Sequence, residues 1–258
     1  RDVAPSRGLG DVYKRQVSAS AFFMEEYMKD FVNVGLLGAG TVGGGVLRVL
    51  EDNAEEIEKK VGLPIRITKV LDRNVEARRQ EYGDKYIFTD NADELLQDPE
   101  IDIIVELLGR EHPAKEFIAC ALKNGKNVVT ANKDVIAKYG EELFPLAEEH
   151  HCDFLFEASV CGGIPIIGPM KTSMAANKIH SIMGIVNGTT NYMLSKMSNE
   201  HLAYVEVLKE AQAKGYAESD PTADVGGLDA ARKIAILASI AFNLSLIHIS
   251  EPTRRSYI

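Results

Sequence analysis

Residues 35–46 read GLLGAGTVGGGV, and this stretch decides the fold class. An apolar, β-branched run from Phe31 to Leu37 leads into it, and a helical pattern from about Val42 to Lys60 follows. A Gly-x-Gly-x-x-Gly turn between a strand and a helix is typical of dinucleotide binding, and a plain tight turn is the alternative. The first glycine allows the turn, the second lets the backbone approach a pyrophosphate, and the third lets helix and strand pack closely. The residues predicted to bind the cofactor at this turn are Gly38, Gly40, Thr41, Val42 and Gly43.

Strand and helix patterns alternate after this turn. Strands are predicted at 65–71, 101–107, 127–130 and 153–156, and helices at 93–96, 113–123 and 141–150. Such alternation is typical of an α/β fold with a parallel sheet.

The pattern changes after Ala158. A helix is predicted at 164–175, a strand with partial alternation at 178–186, a turn at 187–191 that leads into a helix, and an amphipathic helix at 201–214. We therefore expect a second domain in which helices pack on a mixed sheet.

The composition limits the classes of function. The 258 residues are 45% hydrophobic and 26% charged, as in ordinary globular proteins, and the net charge of −9 argues against nucleic acid as a partner. The longest apolar stretch, Ile234 to Ile249, contains Asn243 and His248, so no membrane span is expected. Cys120, Cys152 and Cys161 show no metal or disulfide spacing, which fits a reducing cytoplasm.

Both ends of the chain differ in character from the rest. Residues 1–16 and roughly 245–258 lack a periodicity that joins their neighbours, and we expect them to be non-native. Residues 1–29 are treated as a leader, in which Met24 or Met28 is a candidate start. The natural protein is then expected to continue beyond residue 244.

Several polar residues follow the predicted strands, where ligands of parallel sheets bind. Asp72 is placed to accept hydrogen bonds from a ribose, whereas Arg73 is placed to pair with a 2′-phosphate, so the choice between NAD and NADP stays open. Leu108 and Gly109 follow the strand at 101–107, and Lys133 follows the strand at 127–130. These three are predicted to lie near the nicotinamide end of a dinucleotide.

A second cluster of charge lies at residues 215–233, which read GYAESDPTADVGGLDAARK. Asp229 and Lys233 are four residues apart, so they share one face of a helix that is otherwise apolar. Burying such a pair is costly unless the charges are paired or used. Three further carboxylates precede it, Glu218, Asp220 and Asp224. A site that holds an amino group and protonates an oxygen needs this set of groups.

Taken together, six segments resemble homoserine dehydrogenase. They are GLLGAGTVGGGV (35–46), VELLG (105–109), VVTANKD (128–134), FEASVCGGIPII (156–167), GIVNGTTNYML (184–194) and GYAESDPTADVGGLDAARKIAIL (215–237). The resemblance implies a Rossmann-type NAD(P)-binding domain at 30–157 and an α+β substrate and dimerisation domain at 158–244. It implies reduction of L-aspartate 4-semialdehyde to L-homoserine with NADP or NAD, for threonine and methionine biosynthesis, in a cytoplasmic homodimer.

The resemblance also implies roles for individual residues. Lys233 resembles the proton donor, Lys133 lies between cofactor and substrate, and Asp229 both orients Lys233 and holds the substrate ammonium. The residues implied to bind substrate are Glu218, Asp229, Asp224, Thr189 and Lys133. A sodium ion is implied at Glu157 and the carbonyls of Val160, Gly162 and Ile164, although the sequence alone favours a capped strand-to-helix turn at 157–164.

The chain departs from the family pattern in two ways. Arg110 stands where the family often has a second glycine, which alters the wall near the nicotinamide. The family's core continues past residue 244, and many members add a regulatory domain.

Two other functions fit parts of the sequence. Cys161, in a glycine-rich turn, is the nucleophile of a thiol-dependent aldehyde dehydrogenase in one of them, although no histidine is an evident base for it. The other is a non-catalytic dinucleotide-binding module, which uses the glycine loop and ignores the charged cluster.

Overall fold

The computed structural model of the chain describes residues 29–217 and 220–243. The two predicted non-native ends and both candidate start methionines, Met24 and Met28, lie outside the described residues, and so does Glu218.

A six-stranded, wholly parallel sheet forms the centre of the fold. Its strands are β1 (Val32–Leu37), β2 (Ile65–Leu71), β3 (Ile87–Thr89), β4 (Ile103–Glu106), β5 (Asn127–Thr130) and β6 (Phe154–Leu155). The spatial order is β3-β2-β1-β4-β5-β6, so the order reverses beside β1 and a crevice opens where β1 and β4 end. The predicted α/β class with a Rossmann-type sheet is confirmed.

Eleven α-helices connect or follow the strands within the described residues. They are α1 (Thr41–Asp52), α2 (Ala54–Val61), α3 (Val75–Tyr82), α4 (Asp93–Leu96), α5 (Ala114–Lys123), α6 (Lys133–Glu149), α7 (Ile167–Lys171), α8 (Gly188–Glu200), α9 (Tyr204–Ala213), α10 (Thr222–Val225) and α11 (Leu228–Phe242).

One main hydrophobic core joins the sheet to helices from both halves of the chain. Ile104 of β4 and Val128 of β5 are fully buried, and they share this core with Met170 of α7 and with Ile236 of α11. The α11 helix is thereby held against the sheet layer although it is distant in sequence. A smaller separate cluster, with Met193, lies between α8 and α9.

Several predicted element boundaries are corrected. The helix predicted from Val42 to Lys60 is two helices, α1 and α2, because the backbone leaves helical geometry at Asn53. The helix predicted at 141–150 begins at Lys133, where the Asn132 side chain accepts a hydrogen bond from the Val135 N–H and caps it. The helix predicted at 164–175 is shorter and spans Ile167–Lys171. The sequence patterns did not predict α3 or β3.

The strand predicted at 178–186 is wrong within the described residues. This segment has no regular secondary structure, and Met183 and Ile185 are 100% and 74% exposed. Alternation of apolar residues forms a strand only when another strand supplies hydrogen bonds, and none of the described strands pairs with this segment.

Within residues 29–217 and 220–243, no helix combines the length and the apolar character that a membrane crossing requires.

Candidate active site

The glycine loop has the geometry that dinucleotide binding requires. Gly38 has a φ of +101°, and a Cβ there would lie 3.1 Å from the Leu107 carbonyl oxygen. A Cβ on Gly43 would lie 2.0 Å from the Gly38 carbonyl oxygen, so only glycine permits this approach of α1 to β1. A Cβ on Gly40 would meet no atom within 4 Å, because this residue faces open space. The three glycines fit the roles predicted for turning, approach and packing.

The start of α1 offers a binding site for an anion. No side chain in the described part of the chain caps this end, so backbone N–H groups of its first turn remain available for an anion. Thr41 and Val42 form that turn, and Val42 is 58% exposed. The residues present therefore fit a pyrophosphate.

A cleft of about 510 Å³ lies beside the glycine loop, at the carboxyl ends of β1, β2 and β4. It is lined by Gly38, Ala39, Gly40, Leu71, Asp72, Arg73, Arg78, Asp90, Leu107, Leu108, Arg110, His112, Pro113 and Phe117. Among the residues predicted to bind the cofactor, the cleft includes Gly38, Gly40, Arg73 and Leu108. Gly109 follows in the same loop with a φ of +73°. The cleft therefore contains residues from three separate predicted segments, the glycine loop, the end of β2 and the end of β4.

Asp72 ties the end of β2 to the glycine loop. One carboxylate oxygen accepts hydrogen bonds from the Ala39 N–H at 3.3 Å and from Arg78 Nε at 3.1 Å, and the other accepts one from the Asn74 N–H at 2.9 Å. Burial acts to raise the pKa of this carboxyl, but these hydrogen bonds and the Arg78 charge outweigh burial and lower it. Asp72 is thus an ionised acceptor in the cleft, and Arg73 beside it is exposed.

A buried carboxylate holds two lysines at the second part of the site. Asp229 is 7% exposed, in the first turn of α11. Its Oδ2 lies 2.7 Å from Lys233 Nζ, and its Oδ1 lies 3.2 Å from Lys133 Nζ. Lys133 begins α6 directly after β5, so the carboxyl edge of the sheet and α11 meet here. The three residues predicted to carry catalysis are therefore in contact.

Lys233 has a defined environment. Its Nζ donates to the Val186 carbonyl oxygen at 2.7 Å in addition to its contact with Asp229. An ammonium group has three N–H donors, so these two contacts leave one donor for a substrate oxygen.

Asn187 organises the carboxylates around the lysines. Its Nδ2 donates to Asp229 Oδ2 at 2.9 Å and to Asp224 Oδ1 at 2.8 Å, while its Oδ1 accepts from the Thr190 N–H at 2.8 Å and caps α8. The sequence indicated only a turn at 187–191 that leads into a helix. The contacts to the two aspartates join residues 37 and 42 positions apart, and no local pattern reports such contacts.

Opposing effects act on the Asp229 carboxyl. Burial acts to raise its pKa, but hydrogen bonds from Asn187, Lys233 and Lys133 outweigh burial and lower it. Asp229 is therefore ionised at neutral pH, and it keeps both lysine side chains in place.

Two contacts connect this cluster to its surroundings. Asn132 Nδ2 donates to the Arg110 carbonyl oxygen at 2.8 Å, which joins the Lys133 turn to a loop that lines the cleft. Arg232 Nη1 lies 2.7 Å from Asp134 Oδ1, although that oxygen receives no hydrogen bond of good angle. We regard the second contact as an ion pair held by charge rather than by a directed hydrogen bond. Reasoning from the sequence missed both contacts.

Other predicted site residues have different surroundings. Thr189 Oγ1 donates to the Tyr216 carbonyl oxygen at 2.6 Å, so this hydroxyl already joins α8 to the 214–217 turn. Cys161 is half-buried and packs against the main core, as a small apolar side chain does. Glu218 lies outside the described residues.

The predicted cation site has a carboxylate that is already engaged. Glu157 accepts hydrogen bonds from the N–H groups of Ile166, Ile167 and Gly168 at 2.5, 2.8 and 2.7 Å. These donors lower its pKa against the opposing effect of burial. Glu157 thus caps α7, and a sodium ion at this residue and the carbonyls of residues 160, 162 and 164 stays a prediction. In the described residues, no group of three or more His, Cys, Asp or Glu side chains is arranged to hold a metal.

Two family models match the chain in succession. The model of the homoserine dehydrogenase NAD-binding domain matches residues 38–157, and the homoserine dehydrogenase model matches residues 165–254. Homoserine dehydrogenase from Bacillus subtilis is 46% identical over 215 residues, which are 83% of this chain and 50% of that protein.

Solved structures give the same picture. A homoserine dehydrogenase from Thiobacillus denitrificans aligns with a TM-score of 0.80 and 48% identity, over 83% of this chain and 50% of that one. A hyperthermophilic archaeal homoserine dehydrogenase, solved in complex with NADPH, aligns with a TM-score of 0.73 and 28% identity, over 83% of this chain and 70% of that one. The chain spans about half the length of the curated relatives it matches. The resemblance inferred from the sequence is confirmed, and the chain belongs to the homoserine dehydrogenase family.

Proposed function

We propose that the protein reduces L-aspartate 4-semialdehyde to L-homoserine, reversibly, with a nicotinamide dinucleotide. The observation that carries the proposal is the contact of Lys133 and Lys233 with one buried carboxylate, Asp229, beside the cleft of the glycine loop. When bound, the nicotinamide ring supplies the hydride that reduces the aldehyde carbon.

In this proposal Lys233 is the acid. A lysine ammonium carries its proton at neutral pH, so it can donate to the carbonyl oxygen as negative charge develops there. The resulting amine is then reprotonated from solvent. Asp229 and the Val186 carbonyl hold Nζ in place, so orientation is established before the substrate arrives. Oxidation of the alcohol by the oxidised dinucleotide releases a proton, so alkaline pH should favour that direction.

The other polar groups are proposed to hold the substrate's amino acid end. Asp229 is surrounded by Lys133, Lys233 and Asn187, which supports an orienting role more strongly than direct contact with the substrate ammonium. Asp224, half-buried and with one oxygen held by Asn187, is the better candidate for that contact, and Glu218 is the second. Lys133 is proposed to bind the substrate carboxylate or to assist proton transfer.

The cofactor is proposed to be NADP or NAD. Asp72 supports a ribose contact, whereas the exposed Arg73 at the cleft supports a 2′-phosphate contact. The sodium ion at Glu157 stays a prediction. A homodimer, a cytoplasmic location and a role in threonine and methionine biosynthesis stay predictions. The two-domain division at residue 158 and the non-native ends also stay predictions.

Oxidation of the reduced dinucleotide on addition of aspartate semialdehyde tests the proposal in the full-length protein. We expect turnover with this substrate and much less with the same semialdehyde lacking its amino group, because Asp224 then has no ammonium partner. Dinucleotide binding without turnover would favour the non-catalytic module. Reduction of the oxidised dinucleotide by the semialdehyde, lost in Cys161→Ser and kept in Lys233→Met, would favour the thiol mechanism.

A further inference from the structure

Glu106, the last residue of β4, is a buried carboxyl that the proposed mechanism does not use. Its side chain is 0% exposed, at the carboxyl edge of the sheet. Burying a carboxyl costs free energy unless hydrogen bonds compensate, and an apolar side chain would fill this position at lower cost. Glu106 therefore calls for an explanation beyond packing.

One oxygen of Glu106 holds the wall of the nucleotide cleft. Oε1 accepts a hydrogen bond from the Leu108 N–H at 2.7 Å. Leu107, Leu108 and Arg110 line the cleft, so this bond fixes the loop that forms one of its walls. The bond is local, two residues along the chain.

The other oxygen reaches the turn that carries Lys133. Oε2 accepts from Thr130 Oγ1 at 2.6 Å, and the same hydroxyl oxygen accepts from the Asn132 N–H at 3.0 Å. Asn132 in turn caps α6 and donates to the Arg110 carbonyl oxygen at 2.8 Å. A closed set of hydrogen bonds therefore links the cleft wall to the residue just before Lys133.

The Leu108 N–H and the Thr130 hydroxyl both donate hydrogen bonds to Glu106. Burial raises the pKa of Glu106, and the Thr130 hydroxyl, the Leu108 N–H, the Asn132 amide and the Gly109 N–H act against that rise. The hydrogen bonds of this network, rather than the charge of Glu106, connect the cleft wall at 107–110 to the turn that carries Lys133.

We propose that Glu106 is a positioning residue, which holds the cleft wall at 107–110 and the Lys133 turn in one fixed relation. This inference rests on the proposed function for its effect on turnover, but not for its effect on dinucleotide binding. Misplacing a reacting group by about 1 Å can reduce the rate by about a hundredfold, so a small shift of Lys133 relative to the cofactor would be measurable.

Glu106→Gln is the direct test in the full-length protein. The amide oxygen can still accept from the Leu108 N–H, but the NH₂ group then faces Thr130, whose hydroxyl must turn its proton away and act as an acceptor, so the link to the Lys133 turn is rearranged. We expect kcat to fall by about ten- to a hundredfold, and the Kd for the reduced dinucleotide, measured by its fluorescence without substrate, to rise several-fold.

Thr130 provides a matched pair of variants. Thr130→Ser keeps the hydroxyl and should retain near-normal kcat and Kd, whereas Thr130→Val removes the link and should reproduce the Glu106→Gln defect. If Glu106→Gln does not fold, the comparison of Thr130→Ser with Thr130→Val tests the positioning role of Glu106 by itself.

Lys126→Met is the control for the loss of a buried polar group. Lys126 is 3% exposed at the opposite edge of the sheet, where Nζ donates to the Ile101 carbonyl oxygen at 2.8 Å and to the Asp98 carbonyl. This variant should lower Tm but leave kcat and Kd unchanged in the folded protein.

The outcomes separate this inference from the proposed function. Glu106→Gln and Thr130→Val variants that lower Tm as Lys126→Met does, with kcat and Kd unchanged, would overturn the positioning role. If the wild type binds dinucleotide but does not reduce the semialdehyde, the proposed function fails. In that case, the ratio of the dinucleotide Kd of Glu106→Gln to that of the wild type would still show whether Glu106 positions the cleft wall.

Discussion

Asp229 holds two ammonium groups and one amide on a carboxylate that is almost entirely withdrawn from solvent. An isolated carboxylate in such a place would raise its pKa until it was neutral, so the two ammonium groups and the Asn187 amide are what keep Asp229 ionised. The residue is therefore the centre of the candidate site in an electrostatic sense. Stability and activity should both depend on it.

Asp229→Asn should change stability in a pH-dependent way. The pKa of Asp229 is lowered by folding, so its ionised form contributes stability above about pH 3.9, the ordinary pKa of an aspartate. That contribution is lost as the pH falls through the lower folded pKa. We expect Asp229→Asn to reduce the free energy of unfolding by about 1–3 kcal/mol at pH 7, and the difference from wild type to shrink at acid pH. Urea unfolding at several pH values measures it, and a difference constant down to pH 2 would contradict this account.

Lys233→Met should separate catalysis from packing. Removing a general acid typically lowers the rate by about 10²- to 10⁴-fold, and methionine keeps most of the buried length of the side chain. The measurement is kcat for semialdehyde reduction at neutral pH. Lys209→Met, at an exposed position of α9, is the control and should change stability by less than about 0.5 kcal/mol. Equal kcat values for the two variants would refute the proton-donor role.

Gly43→Ala tests the close approach in the glycine loop. The added Cβ would lie 2.0 Å from the Gly38 carbonyl oxygen, so α1 must move away from β1. We expect a loss of about 1–3 kcal/mol in stability and weaker dinucleotide binding.

Gly45→Ala is the control for this substitution. A Cβ there meets no atom within 4 Å, so it should stabilise the helix by about 0.5–1 kcal/mol. Unfolding curves and dinucleotide titrations of the two variants give the comparison. Equal stabilities and equal Kd values for the two variants would mean that the glycine loop accommodates a Cβ at residue 43, contrary to this account.

At the scale of elements, the starts of α6 and α11 are joined by two adjacent ion pairs. Lys133 pairs with Asp229, and the next residue of α6, Asp134, pairs with Arg232 of α11. The second pair is partly buried, with side-chain exposures of 28% and 20% for Arg232 and Asp134. It resists rotation of α11 about the first pair, and thereby preserves the placement of Lys233.

A double-mutant cycle on Asp134→Asn and Arg232→Met measures the interaction between these two side chains. We expect a coupling free energy of about 1 kcal/mol and a fall in kcat for either single variant. The exposed pair Glu56–Lys59 on α2 serves as the control, with an expected coupling of about 0.2–0.5 kcal/mol. If the coupling free energy of Asp134 and Arg232 is no larger than that of the control pair, this ion pair does not hold α6 and α11 together.

The elements show which parts of the fold the sequence can predict. Strands such as β1 and β2 and the turn at Gly38 were predictable because period, glycine position and helix cap are local properties. The break at Asn53 was not, because its neighbours have a helical pattern on both sides. The segment at 178–186 was predicted wrongly, because a strand depends on a partner that its own residues do not reveal.

The site divides in the same way. Asp229 and Lys233 were recognisable from their spacing on one helix face. The contacts of Asn187 with Asp224 and Asp229 join distant segments, so only the folded chain reveals them. The hydrogen bonds from the start of α7 to Glu157 could not be identified from the sequence either, although a capped turn was one of the two predictions for this segment.

At the scale of the whole molecule, the sheet order places the ends of β1, β4 and β5 side by side. The glycine loop follows β1, the cleft wall follows β4, and Lys133 follows β5. The shared core then brings α11, with Asp229 and Lys233, to the same edge. One edge of the sheet therefore carries residues from position 38 to position 233, and the Asn132–Arg110 hydrogen bond joins the Lys133 turn to the cleft wall.

The most direct test of this account is a crystal structure of the full-length protein with oxidised dinucleotide and L-homoserine bound. We expect the nicotinamide ring at the crevice beside Leu108, and the homoserine hydroxyl oxygen about 2.6–3.2 Å from Lys233 Nζ. A dinucleotide bound in the glycine-loop cleft with homoserine held away from Lys233, or a ring that does not reach the Asp229 cluster, would contradict the assignment.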